Sequence, residues 1–212
     1  MRLRKFVRGV KDFCMDEEIK IQASVISEDT CQFTVDRPVF PGGSIYFGNK
    51  ESANGSPLAE QFFTIENVVS LLVSENVVKV TKSGPQEWMP IAKQIGTMIR
   101  DQLQSGVPAI SANVTANLPS EDEIRDKIQE LLETEINPAV GQHGGVVDLI
   151  DVKGNRVFLQ LGGGCQGCGM VDVTLKQGIE HMIRRIVPEV GEILDVTDHA
   201  GGRNPYYSPS KK

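Results

Sequence analysis

Leu161-Gly162-Gly163-Gly164-Cys165-Gln166-Gly167-Cys168-Gly169-Met170 packs two thiols and five glycines into ten residues, and the rest of the chain arranges itself around them. The C-x-x-C spacing of Cys165 and Cys168 lets two sulfurs converge on one metal centre or on each other. Glycines on both sides leave the backbone free to take positive φ and bring N–H groups close to a bulky ligand.

Working outward, Val173, Ile179, Met182, Ile183 and Ile186 recur at helical spacing until Pro188, so the thiols precede a helix N-terminus. That end carries roughly half a positive charge and free N–H groups, which favour thiolates and anionic ligands. Lys176, in the first turn, reads equally as a cation screening such a ligand and as a solvated surface charge. Upstream, Val146 to Val152 and Arg156 to Leu161 read as a hairpin turned at Lys153-Gly154-Asn155, with Val157, Leu159 and Leu161 on one face. His143, beside Gly144 and Gly145, reads as a turn residue at the hairpin entrance. Glu192 to Val196 supplies a third strand. Ser120-Glu121-Asp122-Glu123 is a capping box that starts a helix whose apolar face is Ile124, Ile128, Leu131, Leu132 and Ile136, with Asn137-Pro138 expected to end it.

The first half holds a separate pattern. Ile19 to Ile26, Gln32 to Val35 and Ser44 to Gly48 read as strands, with Pro41-Gly42-Gly43 as a turn. Ser56 as N-cap and Pro57 at the first position open a short helix running to Thr64. Val68 to Val73 and Val77 to Lys82 read as a hairpin, and Trp88, Ile91, Ile95, Ile99 and Leu103 form one helical stripe. Trp88 reads as core, or as the rim of a contact surface, rather than as a cofactor platform. Ser105 to Leu118 is rich in small polar residues with Gly and Pro and reads as a linker. The expected architecture is therefore α+β: a basic flexible N-terminus at 1–18, a domain at 19–104, a linker at 105–119, a helix-hairpin-helix-strand domain with the C-x-x-C loop at 120–196, and a flexible polar tail at 197–212.

Composition narrows the function. The chain has 212 residues, 40% of them hydrophobic, and a net charge of -6, which disfavours a nucleic-acid partner. No apolar run approaches membrane-spanning length. Five basic residues precede the first acid, but Asp16-Glu17-Glu18 soon follows, so this start reads as a basic terminus rather than a transit peptide. Four cysteines, two of them isolated, do not make a secreted disulfide framework, so a reducing compartment such as the cytoplasm is expected. Neither Cys14 nor Cys31 has a ligand-spaced neighbour, and neither is expected to bind metal.

Three chemistries fit the pair: dithiol-disulfide exchange, a structural zinc site, and an iron-sulfur cluster. The last two usually want four ligands. One chain offers two, and a second copy related by two-fold symmetry supplies the others most simply.

Gly55-Ser56-Pro57-Leu58-Ala59, the hairpin and Trp88 resemble the N-terminal domain of Nfu-type iron-sulfur scaffold proteins. Asn137-Pro138, His143-Gly144-Gly145, Gly162 to Cys168, Val173 to Glu180 and Val187-Pro188-Glu189-Val190 resemble the NifU C-terminal domain. Gly169 and Thr197-Asp198-His199-Ala200 are similar to bacterial NfuA-type carriers. The resemblance implies a non-enzymatic carrier, homodimeric, in which Cys165 and Cys168 of two protomers hold one 4Fe-4S cluster between them. It further implies loading by a cluster-assembly scaffold, delivery to apo iron-sulfur clients, and a first domain serving partner contact. The rivals are a thiol-disulfide oxidoreductase and a zinc-bridged structural dimer.

Overall fold

A computed structural model describes residues 18–163 and 169–196. Strands β1 (Ile21–Val25), β2 (Thr30–Val35), β3 (Phe40–Phe47), β4 (Val68–Glu75) and β5 (Val77–Lys82) build one antiparallel sheet in the order β1-β2-β5-β4-β3. Alternation decides its faces. Cys31, Phe33 and Val35 of β2 and Val78 and Val80 of β5 point inward and are buried, while Gln32, Thr34, Lys79 and Thr81 point to the other side. The inner face is covered by α1 (Pro57–Phe62) and α2 (Trp88–Gln104), which bury Leu58, Phe62, Ile91, Ile95 and Ile99. Each such large apolar side chain contributes about 1.5–3 kcal/mol on burial. Trp88 closes the core at its rim: its indole N–H donates to the Glu28 carbonyl at 3.0 Å, and Lys82 Nζ sits 5.3 Å above the ring.

Three local expectations change in this domain. Pro41-Gly42-Gly43 lies inside β3 as a bulge, because Phe40 pairs with Glu75 while Ser44 pairs with Ser74, and Gly42 absorbs the offset at φ +71°. Ser56 is the N-cap of α1 by backbone geometry, but its buried hydroxyl makes no cap hydrogen bond. Within 105–119, expected as a linker, Ala109 and Ile110 enter the first core, and α3 (Ala112–Ala116) follows. The Ala109 carbonyl accepts from Leu58 N at 3.3 Å and the Val107 carbonyl from Gln102 Nε2 at 2.8 Å. An isolated Ala-Ile pair buried against distant residues leaves no helical or strand period in the sequence. Val114 and Leu118 also pack on this core, leaving only Pro119 and the N-cap Ser120 before the next helix.

The second domain opens at α4 (Glu121–Leu131). Its capping box is complete: Ser120 Oγ accepts from Glu123 N at 3.2 Å, and a Glu123 carboxylate oxygen accepts from Ser120 N at 2.8 Å. Such a cap is worth about 1 kcal/mol. Asn137-Pro138 does not end the helix. A π-turn over Leu132–Ile136 widens the coil, so Asn137 N donates back to Leu132 O, and α5 (Asn137–Gly141) continues through Pro138, whose ring and missing N–H the wider turn accommodates. Asn137 also splints the helix to the sheet. Its amide donates to Val147 O at 3.0 Å and its carbonyl accepts from Val147 N at 2.8 Å.

Strands β6 (Gly145–Lys153) and β7 (Arg156–Gly163) form the hairpin, turned on Gly154 and Asn155 at φ +57° and +60°. Helix α6 (Gly169–Ile186) then crosses over to β8 (Ile193–Asp195), which pairs parallel with β7. Helices α4 and α6 share a core with the hairpin through Ile124, Ile128, Val157, Leu159, Ile179 and Ile183. Both domains are thus α+β, as expected. The termini at 1–17 and 197–212, with Cys14 and His199, lie outside the described residues.

Candidate metal centre

Cys165 and Cys168 themselves fall in 164–168, outside the described residues, and β7 and α6 stand on either side of that segment. β7 delivers the chain at Gly163, and α6 takes it up at Gly169, so the C-x-x-C segment bridges the carboxyl end of a strand and a helix start. The α6 N-terminus brings its positive dipole end to this point.

The lip is built from glycine for a steric reason. Gly163 pairs with Gly145, has φ +62°, and lies so close to Gly144 that a Cβ there would overlap the Gly144 carbonyl oxygen. At Gly162 a Cβ would come 2.7 Å from Val146 Cγ1. The His143-Gly144-Gly145 segment therefore lies beside the strand end that feeds the thiols. His143 is exposed, and its amide donates to Val140 O at 3.0 Å in the turn that closes α5. His181 is exposed on α6.

Lys176, left open between two readings, is engaged: its Nζ lies 2.7 Å from Asp195 Oδ2 of β8. That pair roofs a groove of about 180 Å3 between α6 and the β7–β8 edge, walled by Leu159, Leu161, Ile179 and Ile193. Its charge is largely answered within the domain, which weakens the screening role.

Among the described residues, no group of three or more His, Cys, Asp or Glu side chains is placed to hold a metal. Cys31 is 1% exposed on the inner face of β2, and burial pushes its thiol pKa up. It behaves as a small apolar side chain. A soluble alkylating reagent applied to the native, reduced protein is expected to leave Cys31 unlabelled until denaturant is added. Native labelling of Cys31 at the rate of a free thiol, read by peptide mass, would show that the β2 inner face opens.

Two family models match in chain order. The Nfu/NifU N-terminal scaffold-protein model matches residues 21–106, and the NifU-like domain model matches 128–194, a span that includes both cysteines of the pair. The chain belongs to the Nfu/NifU family. A NifU-like protein of Schizosaccharomyces pombe is 34% identical over 164 residues, covering 74% of this chain and 63% of the relative. NifU-like protein 4, mitochondrial, of Arabidopsis thaliana is 37% identical over 175 residues, covering 79% and 62%. The Fe/S biogenesis protein NfuA of Pseudomonas aeruginosa is 43% identical over 109 residues, covering 50% and 56%. This Nfu/NifU chain therefore spans less than two thirds of the length of these relatives. The solution NMR structure of a NifU-like protein from Saccharomyces cerevisiae aligns with a TM-score of 0.41 at 24% identity, covering 44% of this chain and 86% of that one.

Proposed function

We propose that this Nfu/NifU chain is an iron-sulfur cluster carrier, with one 4Fe-4S cluster held between two protomers by Cys165 and Cys168 of each. The observation that carries the reading is the ligand count at one place: two thiols at metal-ligand spacing, set between the glycine end of β7 and the start of α6. A relative named as an Fe/S biogenesis protein supports it.

The chemistry follows from sharing. Each chain contributes half of a four-thiolate set, and two-fold symmetry brings the halves together. Backbone N–H groups of the glycine-rich segment and the α6 dipole stabilise the anionic cargo. Release needs no breakage of the fold: as the protomers part, the thiolates of an apo-protein replace Cys165 and Cys168 one at a time. The cluster is cargo, taken from an assembly scaffold and handed to apo iron-sulfur clients, and the chain is no enzyme. Such thiols require a reducing compartment. Cytoplasm meets that need, as does the mitochondrial setting in the names of the two plant relatives. No described helix is long and apolar enough to cross a membrane.

The test is anaerobic native mass spectrometry after reconstitution with iron and sulfide. Two chains carrying one four-iron, four-sulfur mass is the expected species. A cluster on a single chain would overturn the shared site. A dimer holding only zinc, or an apo-protein with disulfide-exchange activity, would overturn the carrier reading in favour of a structural metal or a redox dithiol.

A further inference from the structure

The helix-free face of the five-stranded sheet is where the first domain meets the second. Two backbone approaches and one side-chain amide bring them together. Gly191 lies so close to β3 that a Cβ there would stand 2.6 Å from the Ser44 carbonyl carbon, and one on Gly154 would stand 2.9 Å from Gly42 O. Asn155 Nδ2 donates to Ser44 O and to Glu189 O, both at 2.8 Å, tying the β6–β7 turn to both domains.

Charge then closes the seam. The Glu192 amide donates to Ser44 Oγ at 2.9 Å, while its carboxylate accepts from Ser74 Oγ at 3.1 Å and Lys79 Nζ at 2.8 Å. Arg156 pairs with Glu75 at 2.8 Å. Arg184 spreads its guanidinium 3.7 Å from the Tyr46 ring centre, held in that pose by Glu180 and by the carbonyls of Val190 and Gly191. Ser44 and Ser74 are 0% and 4% exposed, so the two hydroxyl contacts are desolvated, while the Lys79–Glu192 and Arg156–Glu75 pairs keep some contact with water.

We infer that the two domains form one clasped body, in which the first domain grips the second through Glu192 at the pole opposite the C-x-x-C segment. The seam gathers at the β6–β7 turn, the end of α6 and the start of β8. The C-x-x-C segment leaves the far end of β7, some eight residues away, or roughly 25 Å along an extended strand. The clasp therefore holds the first domain at the end of β7 away from Gly163. Its connection reinforces it, because Leu118 packs on the first core and Ser120 caps α4. So short a tether keeps the partner surfaces at an effective concentration in the millimolar range or above.

The clasp is also releasable. Its contacts are mostly polar, and Asn155 Oδ1 and Arg156 Nε are buried without partners, so docking leaves part of what it desolvates unanswered. A cleft of about 230 Å3 lined by Thr30, Ser70, Lys79, Thr81, Arg184 and Glu192 runs beside it. This inference stands apart from the cluster reading and needs no cluster to test.

The test is zero-length cross-linking of the full-length apo-protein with a water-soluble carbodiimide. The reagent activates a carboxylate, a lysine amine displaces the activated oxygen, and an amide forms as the reagent leaves as its urea. Lys79 and Glu192 are expected to join within one chain, in a yield comparable to Lys176–Asp195 inside the second domain. Raising the salt to 1 M, where the Debye length falls to about 3 Å, is expected to lower the Lys79–Glu192 product relative to the internal pair. Gly191→Ala is expected to lower it at least tenfold, since the new methyl group has no room against Ser44. Absence of the Lys79–Glu192 product in the wild type, a product at dimer mass only, or an undiminished yield in Gly191→Ala would each overturn the clasp.

Discussion

Replacing Cys165 or Cys168 by Ala is expected to abolish the visible chromophore of the reconstituted protein and to leave its thermal unfolding unchanged. The magnitude follows from symmetry. In a shared site one substitution removes two of four thiolates, one from each protomer. Loss of an outer partner of a metal ligand already costs 10- to 100-fold in affinity, so loss of two ligands is expected to exceed about a hundredfold. Co-expressing wild-type and Cys165→Ala chains in equal amounts sharpens the test. Random pairing leaves about one quarter of dimers with four thiolates, whereas sites confined to single chains leave about one half. Iron and sulfide analysis of the mixture separates these outcomes, and a value near one half would mean that each chain holds its own cluster.

Gly163→Ala carries the largest expected effect on the fold. The residue sits at φ +62°, where a Cβ costs about 1–2 kcal/mol. The new methyl group would also meet the backbone carbonyl of Gly144, which has no rotamer with which to retreat. Together these are expected to destabilise the second domain by about 2–4 kcal/mol. Displacement of the β6–β7 mouth is expected to lower cluster content as well. Gly178→Ala is the opposite control: it lies in α6 with open space where its Cβ would go, and should stabilise by about 1 kcal/mol. Thermal melts of the two apo-variants, compared with wild type, decide the matter. A Gly163→Ala melt within a degree of wild type would mean that the lip of the cysteine segment yields more easily than its geometry implies.

Much of the architecture was legible in the residues. Gln32 to Val35 and the β-branched run at 77–82 marked two strands, the first two residues short at its start, the stripe from Trp88 to Leu103 placed α2, and Ser120 with Glu123 marked the start of α4. These signals are local, and each is set by a period or a cap that tertiary packing reinforces. What escaped was either aperiodic or contextual. Ala109 and Ile110 have no recurring partner in the sequence, so their burial depends on a groove formed by distant residues. Pro41-Gly42-Gly43 and Asn137-Pro138 carry the composition of a turn and a stop, yet paired strands absorb the first as a bulge, and a π-turn absorbs the second.

The candidate centre divides the same way. Glycine density around Cys165 and Cys168 reads as freedom for positive φ and room for a bulky ligand; Gly163 does take φ +62°, but the close approach it permits is to the Gly144 backbone. That Lys176 would meet Asp195 was hidden, because β8 is placed by a crossover and not by a hairpin. The contacts of Glu192, Asn155 and Arg184 with the first domain left no trace in any local pattern.

Those contacts also fix an order of events during synthesis. Ser44 and Glu192 are 148 positions apart, and Ser74 and Glu192 are 118 apart. The first domain has all its core residues once Leu118 has been added, but Glu192 has yet to be made. At 5–20 residues per second, roughly 4–15 s pass before Glu192 is made. Throughout that interval the face of Gln32, Thr34, Ser70, Lys79 and Thr81 stands bare. Because hydroxyls, amides and an ammonium make up most of it, with Tyr46 and Leu72 set among them, the nascent chain waits in water behind a largely wettable surface.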